Sequence, residues 1–389
     1  MESSDPAGIS IESASLPPSP WKRLGVNLLV AAISLTLTFL ILEAGFRLAG
    51  IGRPSAPVLA YDPRGLAADP NPEVVFMLRP GFEGAMWGAP ARFNRFAMRD
   101  DDIASDKAPD EFRILALGDS MTYGVGVRLE QTFAKVLERC LNEGKSQKNE
   151  GARATEQPGP RRRFHVYNAG VPAYDTGQEY HFLTRLIEPV KPDLVVLNFT
   201  LSNDYETPYR LLPNGALEPT AIRQESYSVR VPLERSVGRI SYVYRFFAER
   251  IRRRILAPRT RDLIQTIFQT YREDEEGWRR CKDSLRSMKT LLDGRGAGFA
   301  VFLYPEPTEK PVRRREDYEY LEIRQIVERF CRENGIVVLD VLDDILTYPS
   351  KRDLFVTPTD AHPSPLAHEI VARALLRELR RYQLVPLSQ

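Results

Sequence analysis

Five short strand-like runs of residues, four of them apolar at consecutive rather than alternate positions, constrain the fold of this chain more than any other feature. They fall at 112–117 (FRILAL), 164–168 (FHVYN), 194–199 (LVVLNF), 299–303 (FAVFL) and 336–339 (IVVL). A strand with one wet face alternates apolar and polar residues, whereas a strand covered on both faces reads as a continuous apolar run. Stretches with helical spacing separate the runs. Phe133, Val136, Leu137 and Leu141 mark one within 129–141, a second spans 177–187, and others precede the fourth and fifth runs. Strand alternating with helix predicts a parallel sheet covered by helices on both sides. No internal repeat is evident.

The 389 residues allow two or three domains, or one large domain with appendages. Hydrophobic residues at 43% and charged residues at 27% exclude a wholly disordered, collagen-like or polytopic membrane chain. A net charge of +2 gives no reason to expect a nucleic-acid partner. The three cysteines, Cys140, Cys281 and Cys331, lack C-x-x-C spacing, which argues against a zinc knuckle or a disulfide framework. Any reaction that needs an imidazole must use His165, His181, His362 or His368.

Ahead of the first run the chain changes character. Residues 1–20 are rich in Ser and Pro and are expected as a disordered tail. Residues 24–42 carry no charge, and as a helix they would span roughly 28 Å, about one hydrocarbon core. Bulky residues follow the run where a signal peptidase needs small ones, so a membrane anchor over 21–48 is expected rather than a cleaved leader. Lys22 and Arg23 on one side and Arg47, Arg53 and Arg64 on the other nearly balance. The expected orientation is a short N-terminal tail inside and the large body outside, which would be periplasmic. Residues 49–110 read as a connector with short strand-like pieces. Residues 143–163 read as a polar surface insert, and 204–273 as an insertion into the strand–helix rhythm. Within it, residues 240–256 mix apolar side chains with Arg245, Arg250, Arg252, Arg253 and Arg254. This fits an amphipathic helix packed on the domain, a lid or face on an anionic membrane surface, or a contact to an acidic substrate.

Ligands of open parallel sheets bind beyond the carboxyl ends of the strands. Three runs end in small or polar residues suited to that place: Gly118-Asp119-Ser120, Asn168-Ala169-Gly170 and Ser202-Asn203-Asp204. Asp360-Ala361-His362-Pro363 follows the fifth run, ahead of a final helix. Acyl transfer needs such a set. A serine hydroxyl is a weak nucleophile until a base takes its proton, a carboxylate holds the imidazole in the useful tautomer, and the tetrahedral oxyanion needs aimed donors. The Ser120 amide, the Gly170 amide and the Asn203 side chain are candidates for those donors. Taken singly, each element has a plainer reading as a turn, a strand-end cap or a loop histidine. Their order and their common place at strand ends raise the chemical reading. His165 and His181 fall within a strand and a helix, and His368 within the last helix, so these three read as structural.

Residues 114–127 (ILALGDSMTYGVGV) resemble the first block of the SGNH/GDSL hydrolases. Asn168-Ala-Gly-Val-Pro172, Leu201-Ser-Asn-Asp204 and 360–368 (DAHPSPLAH) resemble the later blocks in the same order. The resemblance covers about 112–382. Residues 92–99 (RFNRFAMR), and the anchor ending in LEAGFR, also resemble membrane-anchored bacterial members. This implies a three-layer α/β/α sandwich with a flavodoxin-like, five-stranded parallel sheet over 111–389. It also implies Ser120 as nucleophile, His362 as base, Asp360 as its orienting acid, and Ser120, Gly170 and Asn203 as the oxyanion hole. Two positions depart from the common pattern. Ser202 stands where glycine often precedes the asparagine, and Asp360 lies two residues before His362, where many members place the acid three before, at the position of Thr359 here. The serine does not sit in a G-x-S-x-G elbow, which disfavours the α/β-hydrolase fold.

The resulting expectation is a serine esterase acting through an acyl-enzyme on carboxylic esters, in particular acetyl esters of an envelope glycan or a lipid-linked substrate. An O-acyltransferase would share every step up to the acyl-enzyme and pass the acyl group to a glycan hydroxyl, with a membrane acyl-transfer partner. A binding module that kept the fold without the chemistry is the third reading. No metal or organic cofactor is called for. The expected partners are the ester-bearing small molecule or glycan and, through residues 24–42, the membrane.

Overall fold

The computed structural model describes residues 20–52, 61–143, 162–204, 209–213, 217–219, 233, 236–306, 308, 312–357 and 360–386. The expected tail before residue 20, the centre of the insert at 143–163 and parts of 204–273 lie outside the described residues. The chain divides into two units, residues 1–54 with 230–252, and residues 55–229 with 253–389.

The larger unit is built on five strands: β1 (Glu111–Gly118), β2 (Arg163–Gly170), β3 (Leu194–Phe199), β4 (Gly298–Leu303) and β5 (Val337–Leu339). They pair in the order β5-β4-β3-β1-β2, every pair parallel. This is the three-layer α/β/α arrangement expected. Helices α2 (Phe133–Glu143) and α7 (Pro365–Arg381) cover one face. Helices α3 (Thr176–Val190), α5 (Glu276–Asp293) and α6 (Leu321–Glu333) cover the other. The continuous apolar runs are thus divided by the pleat. Ile114, Ala116, Val166, Val196, Ala300 and Phe302 enter the core under α2 and α7. Leu115, Leu117, Ala169, Val195, Leu197 and Val301 enter the opposite core. The single charge in the first run, Arg113, is fully buried and forms a two-pronged pair with Glu111 at 2.8 and 3.0 Å, while also donating to the Val190 carbonyl at 3.0 Å. A buried guanidinium is tolerated only with such partners.

Residues 61–110 contain two antiparallel strand pairs, Leu66–Ala68 with Phe76–Leu78 and Glu83–Met86 with Ala89–Arg92. Phe76, Leu78, Met86, Trp87, Phe93 and Met98 are buried in the same apolar cluster as Leu115 and Tyr123 of the sheet and its serine-bearing turn. The segment expected as a connector therefore shares the sheet's core.

In the smaller unit, α1 (Pro20–Leu48) contains the one described helix long and apolar enough to cross a membrane, Leu24–Leu48, whose most apolar 18-residue stretch has mean hydropathy 2.2 and is unburied. Near its end, Glu43 receives hydrogen bonds from the first residues of α4 (Tyr242–Thr270). The Ser241 hydroxyl donates at 2.9 Å, the Tyr242 N–H at 2.9 Å and the Val243 N–H at 3.1 Å. A carboxylate is well suited to the exposed N–H groups and positive dipole end of a helix start. Gly52 makes the turn after α1 possible. Its φ is +71°, and a Cβ there would lie 2.2 Å from the Tyr242 carbonyl oxygen.

Candidate active site

The strand order reverses between β1 and β3, so the ends of β1, β2 and β3 open at the crevice where ligands of such sheets bind. Gly118, the last residue of β1, pairs with Gly170, the last of β2. The chain then turns into the one-turn helix Ser120–Tyr123, whose N-cap is Asp119; the Asp119 carboxylate accepts the Met121 N–H at 2.9 Å. Ser120 is half-buried at the first position of this turn. A Cβ on Gly170 would fall 2.1 Å from the Tyr123 nitrogen and 2.6 Å from the Thr122 carbonyl carbon. Only a glycine lets the end of β2 approach the serine turn this closely.

His362 comes from the far end of the chain, on the antiparallel pair Phe355–Thr357 with Asp360–Pro363. Ser364 then caps α7 by accepting the Ala367 N–H at 3.2 Å, and its hydroxyl donates to the Asp353 carbonyl at 2.6 Å. The His362 ring bridges two groups. Nε2 lies 2.9 Å from Ser120 Oγ, and Nδ1 lies 2.5 Å from Asp360 Oδ1. The same carboxylate oxygen accepts the His362 backbone N–H at 3.0 Å. An aspartate bonds its backbone two residues on in an Asx turn, so the two-residue spacing lets one carboxylate fix both the backbone and the ring of the histidine. Burial pushes the Asp360 carboxyl up, but the His362 ring and its backbone N–H outweigh this and hold it below the usual carboxylate range.

Asn203 lies in the turn after β3. Its side-chain nitrogen donates to Asp119 Oδ2 and to the Tyr174 carbonyl, both at 2.9 Å. Asn203 is thereby tied to the residue preceding Ser120. The turn is held from several sides. The Asn203 N–H reaches the Thr200 carbonyl at 3.0 Å, the Ser202 N–H reaches Glu306 at 2.9 Å, and the Tyr271 hydroxyl reaches the Leu201 carbonyl at 2.8 Å. The Asp204 carboxylate accepts the Thr200 N–H. Burial and the nearby Asp119 push the Asp204 carboxyl well up, and burial beside Asp204 does the same to Glu179. The Gly170 N–H donates to Asn168 Oδ1 at 3.0 Å. Both the Asn203 side chain and the Gly170 amide therefore have protein acceptors in this state.

The other histidines sit apart from this constellation. His165 lies on β2 beside Glu111, and His181 on α3 pairs with Glu73 at 2.7 Å. His368 is buried, and its Nδ1 accepts the Phe133 N–H at 3.1 Å; burial pushes its imidazole down to about 3. Among the described residues no group of three or more His, Cys, Asp or Glu is placed to hold a metal.

Three supporting residues were given no role by the sequence. Arg99 is buried and donates to the carbonyls of Tyr123 (2.9 Å), Gly124 (2.9 Å), Val127 (2.8 Å) and Pro90 (3.1 Å), clamping the loop that leaves the serine turn. Asn168 donates its side-chain N–H to the Thr122 carbonyl at 2.8 Å. Asp100 accepts the Asn168 N–H at 2.8 Å and pairs with Lys135 at 2.7 Å. The block at 92–99 was the only hint of Arg99.

The model of the GDSL-like lipase/acylhydrolase family matches residues 116–370, a span that contains Ser120, Gly170, Asn203, Asp360 and His362. No curated protein matches the chain. Solved structures similar to it include a lipase/acylhydrolase from Enterococcus faecalis, with 16% identity, 70% of this chain and 96% of that one covered, and a TM-score of 0.35. A catalytic mutant of an acetylxylan esterase from Geobacillus stearothermophilus has 15% identity, 71% and 96% coverage, and a TM-score of 0.36. An esterase from Pseudoalteromonas sp. has 11% identity, 70% and 98% coverage, and a TM-score of 0.36. With the family model matching well over half its length and the five-stranded parallel sheet in place, this chain belongs to the GDSL-like lipase/acylhydrolase family of hydrolases.

Proposed function

We propose that the chain is a membrane-anchored serine ester hydrolase that works through an acyl-enzyme on Ser120. The observation that carries this is the His362 ring bonded at once to Ser120 Oγ (2.9 Å) and Asp360 Oδ1 (2.5 Å). Ser120 Oγ attacks the ester carbonyl carbon while its proton passes to His362 Nε2. Asp360, ionised because the ring and backbone N–H of His362 favour its charged form, holds Nδ1–H and stabilises the imidazolium. The tetrahedral intermediate collapses, the C–O bond to the alcohol breaks, and the leaving oxygen takes the proton from Nε2. Water then attacks the acyl carbon with His362 again as base, releasing the acid and restoring the serine.

The oxyanion is assigned to the Ser120 amide, the Gly170 amide and the Asn203 side chain. The last two exchange or share bonds already made, to Asn168 Oδ1 for Gly170 and to Asp119 or Tyr174 for Asn203. Catalytic hydrogen bonds often reach their final geometry only with substrate present.

Residues 24–42 are assigned as a single membrane span, with the N-terminal tail inside and the hydrolase domain, 111–389 with its insertion at 204–273, on the periplasmic side. What favours an anchor over a cleaved leader is Glu43. A cut beyond Glu43, the residue that directly follows the apolar run, would remove the carboxylate that receives Ser241, Tyr242 and Val243. A body held at a bacterial membrane surface suits an acetyl ester of an envelope glycan or of a lipid-linked precursor.

The deciding experiment incubates the full chain with an acetyl ester and a glycan acceptor and analyses the products. Free acetate that disappears in Ser120→Ala supports hydrolysis. Acetyl on the glycan would replace the hydrolase with a transferase using the same acyl-enzyme. Neither product, under conditions that turn over a known serine esterase, would leave only the binding module.

A further inference from the structure

The geometry points to a second membrane contact: we propose that residues 240–251 lie in the headgroup layer of the bilayer that α1 crosses, with Phe247 and Ile251 entering the acyl boundary. The inference rests on the reading of α1 as a membrane span.

Glu43 is the first charged residue after the apolar run at 24–42, so in a spanning α1 it stands at the polar edge of the bilayer. The start of α4 is fastened to that point. Ser241, Tyr242 and Val243 all donate to the Glu43 carboxylate, and Arg47 pairs with Glu43 at 2.8 Å while also donating to the Ile240 carbonyl. Phe246 packs edge-on against Phe46 at 5.0 Å, and Arg245 reaches the Gly52 carbonyl at 2.6 Å. These contacts fix residues 240–246 at the depth where α1 leaves the hydrocarbon.

The side chains presented at that depth suit lipid rather than water. Ile240 is 68% exposed, Phe247 53% and Ile251 49%. Phe247 and Ile251 are four residues apart on α4 and therefore share a face. Leu48 is exposed at the end of α1. Arg47 and Arg250 are also exposed. Long arginine stems lie along apolar surface while their heads reach phosphate. Aromatic and aliphatic side chains interleaved with arginine at a membrane edge are the composition of an in-plane helix. Because α1 already holds the segment at the surface, the attachment costs little further translational entropy.

The test uses the full chain in vesicles of phosphatidylcholine and phosphatidylglycerol, with Cys140→Ser removing the one cysteine that is not buried. A bimane label is attached at Phe247→Cys, at Leu35→Cys in the apolar run and at Asp283→Cys, an exposed position on α5. The expected result is quenching of the Phe247 label by shallow nitroxide lipids and loss of quenching by aqueous iodide. The Leu35 label should respond to deep nitroxide lipids, and the Asp283 label to iodide alone. A Phe247 label that responds only to iodide, with the Leu35 label still deep, overturns the surface contact and leaves the span standing. A Leu35 label untouched by lipid nitroxides overturns the span itself. A Phe247 label shielded from both quenchers means that protein, either a partner or a second copy, covers the face, and this also overturns the proposal. Adding Glu43→Ala should return iodide quenching to the Phe247 label without changing the Leu35 label. No change would show that Glu43 does not hold the segment there.

Discussion

Gly170→Ala probes the assembly of the site more sharply than removal of any reacting group. The added methyl would lie 2.1 Å from the Tyr123 nitrogen, 2.6 Å from the Thr122 carbonyl carbon and 2.7 Å from the Tyr123 Cα. All three are backbone atoms, so no side chain can rotate away. Ordinary contact begins at 3.4 Å, so the end of β2 and the serine turn must separate by 3.4 − 2.1, about 1.3 Å. Overpacking of this kind costs about 1–3 kcal/mol of stability. A misplacement of about 1 Å costs on the order of 10²-fold in rate when reacting groups must be aligned. The turn that moves carries Ser120, whose Oγ is 2.9 Å from His362 Nε2. The expected outcome is a folded protein with a lower Tm and kcat reduced by about 10² or more on a chromogenic acetate ester, with Tm and kcat measured on the same preparation. Unchanged kcat and Tm would refute the claim that this close approach sets the position of the serine.

Ser120→Ala should abolish turnover with little change in Tm; residual activity at the wild-type level would remove it as nucleophile. Asn203→Ala should lower kcat by about 10²–10³ if its amide reaches the oxyanion, and an equal kcat would remove it from the site. Arg99→Met should lower Tm strongly, because four carbonyls each lose a donor at once, and a chemical-denaturation midpoint equal to wild type would contradict the clamp. His368 supplies a pH dependence. Its folded pKa, about 3, lies below the ordinary 6.5, so between these values the unfolded chain binds a proton that the folded one refuses. Stability is then full above pH 6.5 and falls by up to about tenfold in the unfolding constant per pH unit below it. His368→Gln should flatten that slope, and an identical slope in urea titrations from neutral pH into acid would exclude His368 as its source.

The sheet was legible because strands covered on both faces leave a near-continuous apolar signature, which four of the five runs carry, and because all five lay between helical spacings. The gathering of Ser120, Gly170, Asn203 and His362 at one edge of the sheet was legible for a related reason. Ends of parallel strands converge on one edge, so small and polar residues just past the runs mark that edge. Asp360 was legible from the resemblance, but the reason for its spacing was not. Only the structure shows one carboxylate bonded both to the His362 backbone and to its ring. Arg99 was hidden because its four acceptors lie 9 to 28 residues away in sequence and are carbonyls, which every residue has. Glu43 was hidden for the same reason: its partners at the start of α4 lie about 200 residues away and two of them are backbone N–H groups. The burial of residues 61–110 in the sheet's own core was also out of reach, since their strands are three or four residues long and declare no partner in sequence.

The proposed chemistry requires that Ser120 become covalently acylated with His362 as its base. The most direct measurement is peptide mass spectrometry of the full chain after reaction with a fluorophosphonate. The expected result is one adduct, on the peptide containing Ser120, lost in Ser120→Ala and slowed by orders of magnitude in His362→Ala. An adduct elsewhere, or an unmodified Ser120 in a preparation that still hydrolyses esters, would contradict it.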